Sequence, residues 1–316
     1  MLLFKMNKDF ISISLLSPDE LELLLKEAQV MKQKRNLTLL QGKTIALLFE
    51  KPSLRTRLSF EMAMKQLGGQ ALYLSPQEVG MGKREPIPDV ARVLSRYVDG
   101  IAARTLLHST LLTLAEYSSV PVINALTDWE HPCQSLADLL TIQEKKGKLS
   151  GLSLAYIGDG NNVSNSLILA CSLAGMNFRI ASPPGYKINE EILTQSQKFA
   201  AVNGSKITLT EEPVQAVQDA DIVYSDVWVS MGQESETEKR RIAFSRYQVN
   251  EDLLSFANKN ALFMHPLPAH HGEEISVDML ESPHSVVFDQ AENRLYAQKA
   301  VLVRLLLPDN SEVVSI

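Results

Sequence analysis

Short apolar runs and segments of helical period alternate along almost the whole chain, and this alternation restricts the fold more than any other feature. The runs expected to be strands are Thr44–Glu50, Ala71–Leu74, Gly100–Arg104 and Pro121–Ala125, then Leu152–Gly158, Phe178–Ser182, Lys206–Thr210, Asp221–Ser225, Ala261–His265 and Val286–Asp289. Between them lie stretches such as Phe60, Ala63, Met64 and Leu67, spaced as one face of a helix. A strand followed by a helix, repeated in this way, implies parallel sheets with helices on both faces.

A chain of 316 residues is long for a single core, so two such domains are expected. A polar, Gly-containing break at Lys145–Gly151 gives the seam, with domains over 1–148 and 149–290. Periodicity makes the tail Ala291–Leu307 helical, but it does not say which domain that helix covers. The net charge of −6 argues against a nucleic-acid partner. No apolar run reaches the length that spans a bilayer, and the start MLLFKMNKDF does not read as a signal peptide. Two cysteines, Cys133 and Cys171, do not make a disulfide framework, so a cytoplasmic location is expected.

Candidate site residues gather where strands end. After the first strand comes Pro52-Ser53-Leu54-Arg55-Thr56-Arg57, with Ser53 as a helix N-cap. Helix starts attract anions, and two arginines there oppose the helix dipole unless an anion compensates them. Taken alone, the segment reads equally well as solvated surface. Arg104 ends the third strand, and His131 and Gln134 follow the fourth. Ligands of open α/β sheets bind at such carboxyl ends.

In the second half, Gly158-Asp159-Gly160-Asn161-Asn162-Val163 resembles a dinucleotide fingerprint, but Val163 replaces the third glycine and no acidic residue ends the next strand. Tight turning is the reading for the glycines, with Asp159, Asn161 and Asn162 facing the cleft. Further polar clusters run from Ser225-Asp226 to Ser230-Met231-Gly232, and from His265-Pro266-Leu267-Pro268 to Glu274. His265, His270 and His271 are not expected to hold a metal. Glu292, Asn293 and Arg294 are expected to start the last helix.

The ordered set KPSLRTRLSFE, DVARVLSRYVD, ART, HPCQSLADLLTI, YIGDGNNVSNS, DVWVSMGQE, HPLPAHHGEEI and ENR resembles the aspartate/ornithine carbamoyltransferase superfamily, most closely its ornithine branch. The resemblance covers about Gly42 to Leu307. It implies a carbamoyl-phosphate domain and an amino-acid domain, each a parallel sheet flanked by helices, joined by helices near Ser135–Lys146 and Ala291–Leu307. The C-terminal helix, about 291–316, is expected to pack back on the first domain. The implied reaction moves the carbamoyl group of carbamoyl phosphate to the side-chain amine of L-ornithine, giving L-citrulline and phosphate in arginine metabolism. No cofactor is implied, and the family pattern is a homotrimer or a multiple of trimers, with active sites at subunit interfaces.

By position, the resemblance implies that Ser53, Leu54, Arg55, Thr56, Gly80, Arg104, His131, Gln134, Pro266, Leu267 and Arg294 bind carbamoyl phosphate. Asn162, Asp226, Ser230 and Met231 match the ornithine positions, and Arg104, His131 and Asp226 the catalytic ones. Leu54 stands where many relatives have Thr, Gly80 where they often have Gln, and Pro266 where ornithine enzymes usually have Cys. Lys83 is a candidate to reach a neighbouring subunit's site in place of that Gln. An NAD-type oxidoreductase built on Gly158–Val163 and a catalytically silent regulatory subunit remain as alternatives, as does putrescine as the amine.

Overall fold

The computed structural model describes residues 7–34, 37–82, 84–230 and 232–307, so Lys83, Met231 and residues 308–316 lie outside it. The chain forms two compact units: residues up to Leu140 together with those from Asn293 onward, and Thr141–Glu292.

The first unit holds strands β1 (Thr44–Phe49), β2 (Gln70–Leu74), β3 (Gly100–Arg104) and β4 (Val122–Leu126). All pair in parallel, in the order β2-β1-β3-β4. Its helices are α1 (Pro18–Gln33), α2 (Leu54–Gln66), α3 (Pro76–Val79), α4 (Ile87–Leu94) and α5 (His108–Tyr117). α6 (Pro132–Lys146) begins in this unit and ends in the other. β1 is buried from Ile45 to Phe49, and β3 from Gly100 to Ala103, because a parallel sheet covered on both faces leaves no polar side.

The second unit carries β5 (Ser153–Ile157), β6 (Asn177–Ala181), β7 (Ile207–Thr210), β8 (Ile222–Ser225) and β9 (Leu262–Met264), again all parallel, in the order β7-β6-β5-β8-β9. Around them lie α7 (Asn162–Leu173), α8 (Glu190–Asn203), α9 (Pro213–Val217), α10 (Thr237–Phe244) and α11 (Glu251–Leu254). The last helix, α12 (Val287–Leu306), starts in this unit and finishes in the first.

Both sheets grow outward from an inner strand and then reverse. The reversals lie between β1 and β3 and between β5 and β8, and such switch points open a crevice at the strands' carboxyl ends. Each unit therefore offers one natural ligand position.

Two expected elements are corrected. Val286–Asp289 is not a strand: its trace of pairing is a single parallel bridge between Phe263 and Ser285, and α12 begins at Val287. A short apolar run cannot be assigned by periodicity, and here it is the first turn of a helix of 20 residues. Glu292, Asn293 and Arg294 consequently sit inside α12 rather than at its start. α1 is an element the alternation did not announce, although Ser17 and Glu20 form a reciprocal capping box at its start.

Candidate active site

In the first unit, strand register does most of the positioning. Phe49 at the end of β1 pairs with Arg104 at the end of β3, and the Glu50 N–H donates to the Arg104 carbonyl at 2.9 Å. The loop that follows β1 and the Arg104 side chain thus leave the sheet side by side at the switch point. Ser53, extended at φ −152, caps α2 by accepting the Thr56 N–H at 3.4 Å. Leu54 is 77% exposed, so its side chain takes no part in the core and its backbone N–H is what it offers an anion.

His131 and Gln134 arrive from the β4–α6 connection. The Thr105 N–H donates to Leu126 O, and Thr127 N–H to Glu130 O, folding that loop tightly before α6 starts at Pro132. Arg294 comes from α12 and donates to the Thr56 hydroxyl at 2.9 Å. Thr56, His131, Gln134 and Arg294 are all at least 96% buried.

This half-site is electrostatically unbalanced. Burial draws the Arg104 guanidinium down to about 10, and the positive charges of Arg294 and Arg55 push the same way. Arg55 is lowered by burial as well. Like charges therefore meet here, since the guanidiniums of Arg294 and Arg55 both oppose the charged form of Arg104. Burial, followed by Arg294 and Arg104, holds His131 well below its ordinary value, so the imidazole is neutral and offers one N–H donor. Gln134 Nε2 donates to Asp138 Oδ1 at 2.9 Å, leaving a buried Oε1 that lacks a hydrogen-bond partner among the described residues. The arrangement suits an anion bearing a carbonyl and an amide-type NH2: cations for the charge, an imidazole N–H for the carbonyl, a carbonyl acceptor for the NH2.

Arg57 does not join this set. Its Nε donates to Glu61 at 2.7 Å and its guanidinium lies 4.0 Å from the Tyr73 ring centroid, on the flank of α2. Gly80 takes φ +58, and a Cβ there would stand 2.8 Å from the Arg84 Cβ, so a bulkier residue would displace this loop.

In the second unit, Ile157 pairs with Ser225, which brings Gly158 and Asp226 together at the β5/β8 switch point. Asp226 is 6% exposed, and its Oδ2 accepts from Asn161 Nδ2 at 2.7 Å. Burial raises this carboxyl; His265, the Asn161 hydrogen bond and the Val227 N–H oppose the rise, and Glu274 adds to it. The Asn161 Nδ2 also reaches Ser230 Oγ at 3.4 Å. Asn162 is the first residue of α7 and half-buried.

The expectation that Asp159 faces a cleft is corrected. Asp159 is buried against Arg240 Nη1 at 2.7 Å, and the same nitrogen donates to the Trp228 carbonyl at 3.0 Å. The pair ties the end of β5 to the Trp228 segment.

Pro266 and Leu267 follow β9. Leu267 adopts φ 53, a costly conformation for a non-glycine residue, and its N–H donates to His265 Nδ1 at 3.0 Å. His265 Nε2 in turn lies 3.2 Å from Glu274 Oε1, so the imidazole is fixed on both sides. His270, Glu273 and Glu274 bring ligand-type atoms within 4.8 Å of one another. Two of these groups are already engaged: Glu273 with Arg241 at 2.7 Å, and Glu274 Oε1 with the His270 N–H at 2.6 Å.

The dinucleotide reading fails on geometry. A Cβ at Gly160 would come within 2.3 Å of the Lys187 backbone, so the chain itself occupies the approach that a pyrophosphate needs. The N–H groups of Val163 and Ser164 at the start of α7 are also taken, both by Asn161 Oδ1, at 3.0 and 3.1 Å.

Sequence reasoning placed Asn161 near the site but missed its role, and it missed the His265–Glu274 pair and Arg240 entirely. A preferred N-cap residue before a helix was the one available signal, and it served only Asn161.

The family model described as aspartate/ornithine carbamoyltransferase, carbamoyl-P binding domain, matches residues 8–144, and the Asp/Orn binding domain model matches residues 150–305. An ornithine carbamoyltransferase of Thermococcus kodakarensis is 50% identical over 304 residues, covering 95% of this chain and 96% of the relative. One of Bacillus subtilis is 49% identical over 305 residues, covering 96% of each. The solved ornithine carbamoyltransferase of Pyrococcus furiosus superposes with a TM-score of 0.92 at 49% identity, covering 94% of this chain and 96% of that one.

Proposed function

This chain belongs to the aspartate/ornithine carbamoyltransferase family, and we propose that its two half-sites divide the work of moving a carbamoyl group from carbamoyl phosphate to L-ornithine. The products are L-citrulline and phosphate. The carbamoyl-phosphate domain is taken as 1–148 with the C-terminal helix, and the ornithine domain as 149–290.

The observation that carries the reading is the gathering of Arg55, Arg104 and Arg294 around the capped start of α2. A phosphoryl dianion with a carbamoyl group attached answers that charge and the polar pattern beside it. The N–H groups of Leu54 and Arg55, the hydroxyls of Ser53 and Thr56 and the three guanidiniums hold the phosphate. The neutral His131 and Arg104 donate to the carbamoyl oxygen, and Gln134 Oε1 accepts from its NH2. Gly80, and the carbonyls of Pro266 and Leu267, complete the carbamoyl-phosphate set on the strength of the family pattern.

The chemistry follows from these donors. The amine lone pair attacks the carbamoyl carbon, and the carbonyl π electrons move onto oxygen as a tetrahedral oxyanion. Collapse re-forms the carbonyl and breaks the C–O bond to phosphate, which leaves with that electron pair into the arginine set and takes up the proton that the attacking nitrogen gives up. Donors aimed at such an oxyanion are worth about 3 to 4 kcal/mol each. Ornithine's side-chain amine resembles that of lysine, with a pKa near 10.4, so about one molecule in a thousand is neutral at pH 7.4. Asp226 serves as counter-ion for this amine, with Asn162, Ser230 and Met231 as the remaining ornithine-binding residues. A buried carboxylate there favours a cationic side chain and opposes aspartate as substrate.

The enzyme is taken to be cytoplasmic and to work as a homotrimer or a multiple of trimers. Cys133 and Cys171 are buried and form no disulfide with each other, which fits a reducing compartment, and no helix among the described residues is long and apolar enough to cross a membrane. Leu54 and Leu58, one helical turn apart on α2, are 77% and 52% exposed, and this apolar face of the first unit fits a subunit partner.

The test is a substrate panel on the purified chain: L-ornithine, putrescine, L-lysine and L-aspartate, each with carbamoyl phosphate. Citrulline and phosphate should appear in equal amounts with ornithine. Their absence sinks the assignment and leaves the silent-subunit reading in its place. A faster product with putrescine would move the amine specificity instead.

A further inference from the structure

The reading just given assigns the amine to Asp226 but does not say what aims that carboxylate. Asn161 is 9% exposed and its amide is satisfied on both sides. Oδ1 accepts the backbone N–H groups of Val163 and Ser164 at 3.0 and 3.1 Å, and the Tyr156 hydroxyl at 3.3 Å. Nδ2 donates to Asp226 Oδ2 at 2.7 Å and reaches Ser230 Oγ at 3.4 Å. The orientation is forced. Rotating the amide by half a turn would set its NH2 against two N–H donors and its oxygen against a carboxylate oxygen.

We propose that Asn161 is a positioning residue for the amine half-site: its amide couples the start of α7 to the aim and ionisation of Asp226 and to Ser230. This rests on the ornithine reading. The helix cap fixes the Oδ1 end, so the Nδ2 end becomes a rigid donor rather than a mobile side chain. One carboxylate oxygen is held by Asn161, which leaves the carboxylate with an orientation before the cation arrives. Because the same NH2 also reaches Ser230, two of the ornithine-binding side chains are aligned from a single residue.

The charged and titratable groups that face this carboxylate are His265 and Glu274 after β9, and Tyr156 on β5, which itself faces Asp159. Burial and the neighbouring Asp226 keep Tyr156 neutral, so it is a donor and not a competing anion. Against Glu274, the Asn161 N–H is one of the few groups that favour the ionised form of Asp226.

The role separates cleanly from mere structural support, because the two ends of the amide do different jobs. Asn161→Asp keeps an acceptor for the cap but sets a second carboxyl oxygen where the donor stood. Asn161→Ser keeps a good cap and removes the amide NH2, and the shorter hydroxyl does not extend to the position of Nδ2. The Asn161→Asp variant should lose at least 100-fold in kcat/KM for ornithine at pH 7.5. The acid limb of its profile should move up by more than one pH unit, since two adjacent carboxyls resist sharing charge. Asn161→Ser should lose about 10- to 100-fold, the usual worth of a hydrogen bond to a charged group, with a smaller shift in the same direction. Both should keep the KM for carbamoyl phosphate within about twofold.

A second measurement excludes distortion of the site. Calorimetry in saturating inorganic phosphate compares L-ornithine with 2-aminopentanoic acid, which has the same backbone but no side-chain amine. The variants should weaken ornithine at least 10-fold and leave the amine-free analogue within about threefold. Equal weakening of both ligands, or folded variants with an unmoved acid limb, overturns the proposal. If the unaltered protein makes no citrulline, it is the ornithine reading that falls, and the parent assay alone shows which has failed.

Discussion

The two half-sites solve the same problem, holding a charged ligand in a buried place, in opposite ways. The first unit brings Arg55, Arg104 and Arg294 near one another, so that the charges of Arg55 and Arg294 oppose that of Arg104. The second unit surrounds the Asp226 carboxylate with the Asn161 amide, the Val227 N–H and the nearby His265, which work against burial and Glu274. Like charges thus meet in the first site, whereas in the second hydrogen bonds and a histidine offset the burial of a carboxylate in part. Phosphate held by such a set of cations should bind less tightly as salt is added. Internal compensation makes amine binding depend on geometry more than on net charge.

The largest effects should come from breaking one side at a time. Arg104→Ala removes an oxyanion donor and a phosphate ligand together, so kcat/KM for carbamoyl phosphate should fall by at least ~1000-fold. The empty variant should melt no lower than the parent, because one of three repelling cations has gone. Differential scanning with and without phosphate checks this: the parent is stabilised by RT ln(1 + [L]/Kd), and the variant should lose most of that gain. Asp226→Asn should cost ornithine turnover comparably while leaving the phosphate-induced shift intact. If Arg104→Ala instead lowered the melting point of the empty protein, the contrast between a like-charged and a partly compensated half-site would be wrong.

A backbone test comes next. Gly160→Ala puts a Cβ within 2.3 Å of the Lys187 carbonyl carbon, a contact with backbone that cannot swing aside. Overpacking of this kind typically costs 1–3 kcal/mol, so ornithine turnover and the melting point should both fall. Phosphate binding by the first unit should persist. Parallel loss of phosphate binding would show that the two units do not fail separately.

Much of this contrast was legible in the sequence, and the part that was not has a physical reason. The anion site is local in its signal: Ser53, Arg55 and Thr56 are neighbours at a strand-to-helix turn, where the cap and the helix's positive end act together. Strand ends carried Arg104, His131 and Asp226 into view for the same reason, since parallel sheets place ligands there. Compensation in the second unit is non-local. Asn161 and Asp226 are separated by 65 residues, and Asp159 and Arg240 by 81, and no periodicity links either pair. Asp159 accordingly looked like a ligand and is a structural anchor. Val286–Asp289 misled for a different reason: four apolar-leaning residues fit a strand or a helix turn equally, and only the following α12 decides between them.

Burial of His131 adds a pH signature to the arginine side alone. The ring is held well below its ordinary value by burial and by Arg294 and Arg104, whereas in the unfolded chain it titrates near pH 6.5. Between those two values the unfolded state binds more protons than the folded state. Stability therefore rises with pH there and is lost as pH falls below about 6.5, by up to ~1.4 kcal/mol per unit for this one group. The Asp226 carboxyl, raised in the fold, works in the opposite sense, since its folded state holds the proton longer as pH rises from the ordinary Asp value. Comparing the acid limb of stability in the parent and in His131→Gln should show the histidine's share; an unchanged limb would place the acid sensitivity elsewhere.

The finest test lies within five residues of the chain. Arg55 and Arg57 are two apart at the start of α2, and a sequence argument treats them alike. Arg57, however, is paired with Glu61 at 2.7 Å, stacked 4.0 Å from the Tyr73 centroid, and its side chain is 47% exposed. Exposed ion pairs and cation–π contacts are each worth about 1 kcal/mol or less, so Arg57→Ala should cost about that in stability. It should leave the KM for carbamoyl phosphate within about twofold. Arg55→Ala removes a half-buried cation from the repelling set, and the same KM should rise at least ~10-fold, the scale of one charge-assisted contact. Two residues apart along α2 turn the side chains by about 200°, which is why one charge meets the ligand and the other meets the flank. Equal effects of the two substitutions would mean that charge near the helix start, rather than the aim of each guanidinium, governs the anion site.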